Sequence, residues 1–239
     1  KVEVCVDSIV SALTAQTCGA WLVEFCNNMS EGGITPSVGQ IVEIRKKLNI
    51  KLNVIIRPRG GDFVYTEEEF SAMCYDVKMC GENRCDGVVI GILTPNGRVD
   101  MVRCRVLVDI ARAYNMSVTF HRAFDVSENL EEALEDVVAL GCDRLLTSGG
   151  KATAEEGIEV LAKLMRQAAR RIIVMPGSGI TPENVAKVIT TTGCREIHGT
   201  FRSKHESMLA HPAWADYSRY FTDPDKVGLI MKYTMSLVL

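Results

Sequence analysis

Two cysteines, Cys5 and Cys26, sit in the first two β-rich runs of this sequence, Val2–Asp7 and Trp21–Cys26. Inward side chains of a barrel strand recur at every second position. Glu3, Cys5 and Asp7 therefore share one face, and Glu24 and Cys26 share another. If the runs are neighbouring parallel strands, ~4.8 Å apart, the two sulfurs can share one soft ion. Thiolates select Cu(I) over hard cations. Two of them suit a linear Cu(I) and are too few for a closed structural zinc site, which takes four ligands. Two small core cysteines are the alternative, and the spacing alone does not decide.

The same alternation groups Ile55 with Arg57 and Arg59, Thr119 with His121, and Glu196 with His198. Charges inside β-runs are costly to bury unless paired or liganded. Glu24, Arg57, His121 and His198 on one set of faces thus point to a site, with structural ion pairs as the alternative. The run Arg57-Pro58-Arg59-Gly60-Gly61-Asp62-Phe63 sets two guanidiniums beside flexible glycines. Such forks suit phosphate or carboxylate groups, unless they pair internally with Asp62, Glu24 or Glu3. His121 is the candidate acid/base, since an unperturbed imidazole titrates near ~6.5. Arg122 and Asp125 follow it directly, and Glu24 and Asp125 join it as candidate catalytic carboxylates. A strand histidine satisfied in the core is the competing reading.

Two glycine-rich loops complete the set, Thr147-Ser148-Gly149-Gly150 and Pro176-Gly177-Ser178-Gly179-Ile180-Thr181. The second runs into a helix N-terminus capped by Thr181, where backbone N–H groups and the helix dipole favour an anion. Barrels place phosphates near the loops after strands seven and eight, and His198-Gly199-Thr200 supplies the second half. The expected anion-binding residues are Arg57, Arg59, Ser148, Gly149, Gly177, Ser178, Gly179 and Gly199. Simple tight turns are the alternative. His205 and His211 receive no role.

These residues need elements to position them, and eight β-rich runs alternate with helical patterns, the sequence form of parallel βα units. After the two runs above come Leu52–Pro58, Asp86–Leu93, Ser117–Phe120, Asp143–Thr147, Arg171–Met175 and Glu196–Gly199. Helical spacing covers Val10–Thr17, Val38–Leu48, Glu67–Met79, Val102–Tyr114, Leu130–Leu140, Ala154–Ala169, Pro182–Thr191 and Lys226–Leu237. Ser8, Thr66, Ser127, Thr153 and Thr181 suit N-caps, and Pro36 and Pro182 suit first-turn positions. Gly19, Gly141 and Gly193 fall where helices should stop. The pattern predicts a single-domain (β/α)8 TIM barrel over residues 1–239, with its site at the C-terminal mouth. An open doubly wound sheet would show a Gly-x-Gly-x-x-Gly after its first strand, and none is present. The stretch Lys204–Asp225, before the last helix, reads as irregular and aromatic-rich (Trp214, Tyr217, Tyr220, Phe221), a packing extension or an oligomer contact.

Composition narrows the partners. A net charge of −3 over 239 residues leaves no basic footprint for nucleic acid. No apolar run approaches the ~20 residues of a membrane span. The chain opens on strand-like KVEVCVD rather than a signal peptide, and it lacks an initiator Met, so upstream residues can be missing. Nine cysteines without a Cys-x-x-Cys, in a chain large enough for an ordinary core, read as reduced thiols in a reducing compartment.

Several motifs are long and unusual. Glu3-Val4-Cys5-Val6-Asp7-Ser8, Ser30-Glu31-Gly32-Gly33-Ile34-Thr35-Pro36-Ser37, Ile56-Arg57-Pro58-Arg59-Gly60-Gly61-Asp62-Phe63 and Asp86-Gly87-Val88-Val89-Ile90-Gly91-Ile92-Leu93-Thr94 resemble the CutC copper-homeostasis family. Val118-Thr119-Phe120-His121-Arg122-Ala123-Phe124-Asp125, Leu145-Leu146-Thr147-Ser148-Gly149, Met175-Pro176-Gly177-Ser178-Gly179-Ile180-Thr181 and Ile197-His198-Gly199-Thr200 carry the resemblance on to about residue 200. It implies a barrel, a homo-oligomer, cytoplasmic placement with the nucleus as a further compartment, and a role in copper tolerance or trafficking. In animal-like members one Cu(I) per subunit is attributed to two cysteines, which match Cys5 and Cys26. Many bacterial relatives lack one of the two. The family's usual Ala-Asp-Arg-Ile-Glu-Leu-Cys is here Ala20-Trp21-Leu22-Val23-Glu24-Phe25-Cys26. Ser178 stands for a usual Gly and Phe201 for a usual Ala, which narrows an anion pocket. Two functions follow: a copper-ion-binding protein using Cys5 and Cys26, or an enzyme on a small phosphorylated or carboxylated substrate. The enzyme would use His121 or Glu24 as acid/base and Arg57, Arg59 and the seventh loop as clamps.

Overall fold

The protein is described by a computed structural model covering residues 1–207 and 218–236. Eight parallel strands form one sheet: β1 (Val2–Val6), β2 (Leu22–Phe25), β3 (Lys51–Ile55), β4 (Gly87–Ile90), β5 (Ser117–Phe120), β6 (Arg144–Thr147), β7 (Ile173–Pro176) and β8 (Ile197–Gly199). Their order is β7-β6-β5-β4-β3-β2-β1-β8. Every neighbouring pair in that order is parallel. Only the β7–β8 seam lacks a ladder, so the barrel is nearly closed. Each strand is followed by a helix: α1 (Ile9–Thr17), α2 (Val38–Lys47), α3 (Glu67–Glu82), α4 (Met101–Ala113), α5 (Leu130–Ala139), α6 (Ile158–Ala168), α7 (Val185–Thr192) and α8 (Pro224–Ser236). None of the described helices is long and apolar enough to cross a membrane.

The alternation along the strands explains this arrangement. Outward residues such as Val4, Val23, Val54, Ile90, Phe120 and Val174 are buried with the inner faces of the helices in the main apolar core. The opposite set points into the barrel and is polar to an unusual degree. Glu3, Glu24, Asn53, Thr119, Arg144, Glu196 and His198 are all buried. Cys26, Ile55 and Val89, with Cys5 and Met29 against them, form a separate small apolar cluster.

Helix starts follow local chemistry. Ser8 caps α1, and Ser37 and Thr66 make reciprocal capping boxes with Gln40 and Glu69. Three starts differ from the sequence reading. Asn129, not Ser127, caps α5, because Ser127 closes a short 3₁₀ turn over Arg122–Val126. Thr153 and Thr181 hold turns that delay α6 to Ile158 and α7 to Val185. Pro36 precedes the Ser37 cap rather than entering α2. The stretch Lys204–Asp225 is not irregular in its described part. It contributes to an antiparallel ribbon of β9 (Arg202–His205) and β10 (Arg219–Thr222). Trp214, Tyr217 and His211 lie outside the described residues.

At the N-terminal end of the barrel Arg144 on β6 donates to Glu196 at 2.7 Å, and both side chains are under one tenth exposed. Removing one member of such a pair leaves an uncompensated buried charge, at a cost of ~3–5 kcal/mol. Glu196→Ala is therefore expected to lower the urea-unfolding free energy by that amount. The double change Arg144→Met/Glu196→Met should cost clearly less than the single one, and equal losses would show that the pair is not the cause.

Candidate functional site

The register of β8, β1 and β2 places the first group of side chains. Glu3 lies opposite His198, and Cys5 lies opposite Glu24. His198 Nδ1 is 2.6 Å from Glu3 Oε1 and 3.4 Å from Glu24 Oε2. One residue beyond the β2 ladder, Cys26 brings its Sγ to 3.7 Å from Cys5 Sγ. Ligand atoms of Cys5, Glu24 and His198 all lie within 4.8 Å of one another. The barrel interior therefore holds two thiols, an imidazole and two carboxylates in one contiguous group.

Burial and mutual charge set their protonation. The Cys5 thiol is held well above the ordinary thiol range by its hydrogen bond with Cys26, then by burial and the nearby negative groups. Burial raises the Glu24 carboxyl to about 7, with the Glu3 charge adding and His198 opposing. Burial alone would lower His198, but the Glu3 hydrogen bond and the charges of Glu24 and Glu3 outweigh it, and the ring is raised. Both shifts favour the proton-bearing form, of the imidazole and of the Cys5 thiol.

Above this group opens a cavity of about 640 Å³ at the C-terminal mouth. Cys5, Cys26 and His198 line it, together with the loop after β7 (Ser178–Glu183) and the loop after β8 (Gly199–Arg202). Arg122 and Lys226 complete its basic lining. A Cβ on Gly199 would fall 2.5 Å from the Phe201 ring, so the glycine is what lets Phe201, itself at φ +44°, fold back over the strand end. Ser178 also has a left-handed φ of +74°, a conformation that favours glycine.

Other residues expected at the site are placed differently. Arg57 gives its guanidinium to the carbonyls of Glu31, Gly33 and Gly61, so it ties two loops together instead of facing an anion. Arg59 pairs with Glu69 at 2.6 Å and with Asp62, because the strand ends at Ile55 and the alternation no longer governs that side chain. Asp125 accepts from Arg122 Nε, Thr147 Oγ1, the Ser148 and Gly150 amides and Ser148 Oγ. That full set of partners makes it a tie between the fifth and sixth loops, not a free carboxylate. Ser148 and Gly149 are fully engaged in the same tie and sit below the surface. Gly177 packs against Leu146 and His198 at the β7–β8 seam.

His121 is also displaced from its expected role. Its ring lies 5.1 Å from that of Phe63, and Gly91 provides the space it fills, since a Cβ there would meet the ring at 2.5 Å. Burial, aided by the Arg57 charge, pushes the imidazole down to about 3. It does not line the cavity, and its Nδ1 accepts from the Ala123 amide. Several cavity residues escaped the sequence reading as site members, Arg202, Met29 and Lys226 among them. Arg202 stands four positions after His198, a signal that was available. Met29 sits in a short turn after β2, and Lys226 arrives from α8, where nothing local marks it.

The fold and these side chains define a (β/α)8 barrel with a thiol–imidazole–carboxylate group beneath a basic mouth. The CutC family model matches residues 1–203, and the chain belongs to that family. A CutC family protein of Xylella fastidiosa strain Temecula1 is 49% identical over 234 residues, covering 96% of this chain and 87% of its own. One from Chromobacterium violaceum is 49% identical over 209 residues, covering 87% and 84%. Among solved structures, a copper homeostasis protein CutC of Streptococcus agalactiae superposes with a TM-score of 0.79 at 33% identity, covering 83% of this chain and 97% of that one. Thiamine phosphate pyrophosphorylase of Pyrococcus furiosus, at 16% identity and a TM-score of 0.63, shares the barrel alone.

The placement of His121 has a pH signature. Unfolded, the ring takes a proton below pH ~6.5, whereas the folded chain resists protonation down to about 3. Its buried neutral form is stabilising above pH ~6.5, and that contribution is lost as pH falls toward 3. Between pH ~6.5 and ~4, wild type should lose stability more steeply than His121→Gln, by up to ~1.4 kcal/mol per pH unit. The His121 ring signal in proton NMR should stay at its neutral position over that range. A ring midpoint near 6.5 would contradict the burial.

Proposed function

We propose that the chain binds one Cu(I) as cargo between Cys5 and Cys26 and serves copper handling in a reducing compartment. The observation that carries this reading is the 3.7 Å approach of the two sulfurs on the inner faces of adjacent strands. Thiolates are soft donors that favour Cu(I), and all nine cysteines are free. Metal–thiolate bonds of ~2.3 Å would set two sulfurs ~4.6 Å apart across a linear ion. The shorter observed separation suits a bent arrangement that admits a third donor, and Glu24 and His198 are the groups in reach. Beside the two-coordinate expectation stands this third donor, because β2 and β8 bring Glu24 and His198 to the same end of the barrel as the sulfurs.

Cysteine must give up its proton to bind, so loading releases protons and weakens as pH falls. Anaerobic titration with Cu(I) under a competing chelator should give one ion per chain, with affinity rising with pH. Cys5→Ser/Cys26→Ser should abolish it. A stoichiometry left intact by that double change would exclude the site.

A further inference from the structure

We propose that the mouth cavity is a binding site for a phosphate monoester, held between the loops after β7 and β8 and separate from the thiol pair at its floor. Four cationic or cation-capable side chains line the cavity, Arg122, His198, Arg202 and Lys226, against a single carboxylate, Glu183. The amides of Ser178, Gly179 and Ile180 donate to no described group, and Ser178 and Gly179 take successive left-handed conformations, at φ +74° and +68°. Successive N–H groups in such a turn form an anion-binding concavity.

A second, independent observation comes from the barrel floor. His198 is 93% buried by its 7% exposure, and Glu3 and Glu24 occupy its Nδ1. Among the described residues its Nε2 has no hydrogen-bond partner, and the ring lines the cavity. The ring's other nitrogen is thus fixed by the two carboxylates, and this one is turned to the cavity. A ring held this firmly, with one nitrogen open to the cavity, offers a ligand a fixed hydrogen-bonding group.

The chemistry of the donors selects the ligand. They approach from the loop after β7, the loop after β8, α8 and the barrel floor, so a tetrahedral dianion can be met from several directions. A planar carboxylate uses fewer of them. A volume of about 640 Å³ exceeds what a bare phosphate fills and lies within the range of small-metabolite pockets. Ile180, Phe201, Met29 and Leu229 supply apolar wall for the organic part. The site does not rest on copper binding, and its residues differ from the Arg57/Arg59 clamp expected from sequence.

The test uses the full chain carrying Cys5→Ser/Cys26→Ser, so that loss of copper binding and loss of anion binding are read separately. Calorimetric titration with glycerol 3-phosphate should show saturable binding, tighter than that of inorganic phosphate, while glycerol shows none. Arg202→Ala/Lys226→Ala should weaken the ester at least tenfold. In case that variant folds poorly, amide NMR of the otherwise unaltered chain on adding glycerol 3-phosphate should move the Ser178, Gly179 and Ile180 signals first. Absence of saturable binding at millimolar ester, unchanged affinity in the double variant, or amide shifts confined elsewhere would each overturn the site.

Discussion

A carboxylate and an imidazole, Glu3 and His198, meet at 2.6 Å inside the barrel where β1 and β8 run side by side. Burying either as an unpaired charge would cost several kcal/mol. Together they fix the ring plane, hold its proton and leave one nitrogen turned to the cavity. Glu24 shares the same imidazole from β2, and Cys5 stands next to it in register. Three strands thus converge on one ring. The thiol pair inherits its surroundings from that convergence, and the negative groups around it help to keep the Cys5 sulfur protonated.

The remaining charges at the mouth act on backbone. Arg57 closes on three carbonyls of the second and third loops. Asp125 gathers the fifth and sixth loops through side-chain and amide donors. These ties fill the β3–β6 side of the mouth and hold its loops in single positions. The loops after β7 and β8 are tied through Ser178 Oγ to the Ala152 carbonyl, Asn184 Nδ2 to the Gly179 carbonyl and Lys226 Nζ to the Arg202 carbonyl, and the cavity opens over them.

Strand order, the βα alternation and the inward set on β1, β2 and β8 were legible in the sequence, because period-two alternation of buried residues is a strong local signal. Glu24, Cys5, Cys26 and His198 could be grouped from that signal alone. It failed at Arg59, where counting by twos ran past the true end of β3. It also failed to separate a cavity-facing imidazole from a sealed one. His121 and His198 both occupy inward strand-end positions, yet Gly91 and Phe63 enclose the first while two carboxylates charge the second. That distinction depends on neighbouring strands, which no single stretch of sequence records. Lys226 was illegible because its place at the mouth depends on where the first turn of α8 packs against the loop after β8.

The thiol floor and the basic mouth meet at His198, and this contact limits how they can operate together. Its Nδ1 is committed to Glu3, so the ring has one nitrogen to offer. A metal ion that takes Nε2 requires it deprotonated, which withdraws a donor from any anion above. An anion that keeps Nε2 protonated withdraws the same nitrogen from the metal. Were both places to bind their ligands, their occupancy would be linked, and by thermodynamic necessity the influence would be equal in both directions. Copper held by the sulfurs alone would escape this antagonism, whereas copper that recruits the imidazole would be released more readily as the mouth fills. If the two proposed sites are both real, His198 gives the barrel, in one side chain, a physical means to couple release of a metal to the arrival of a small anionic molecule.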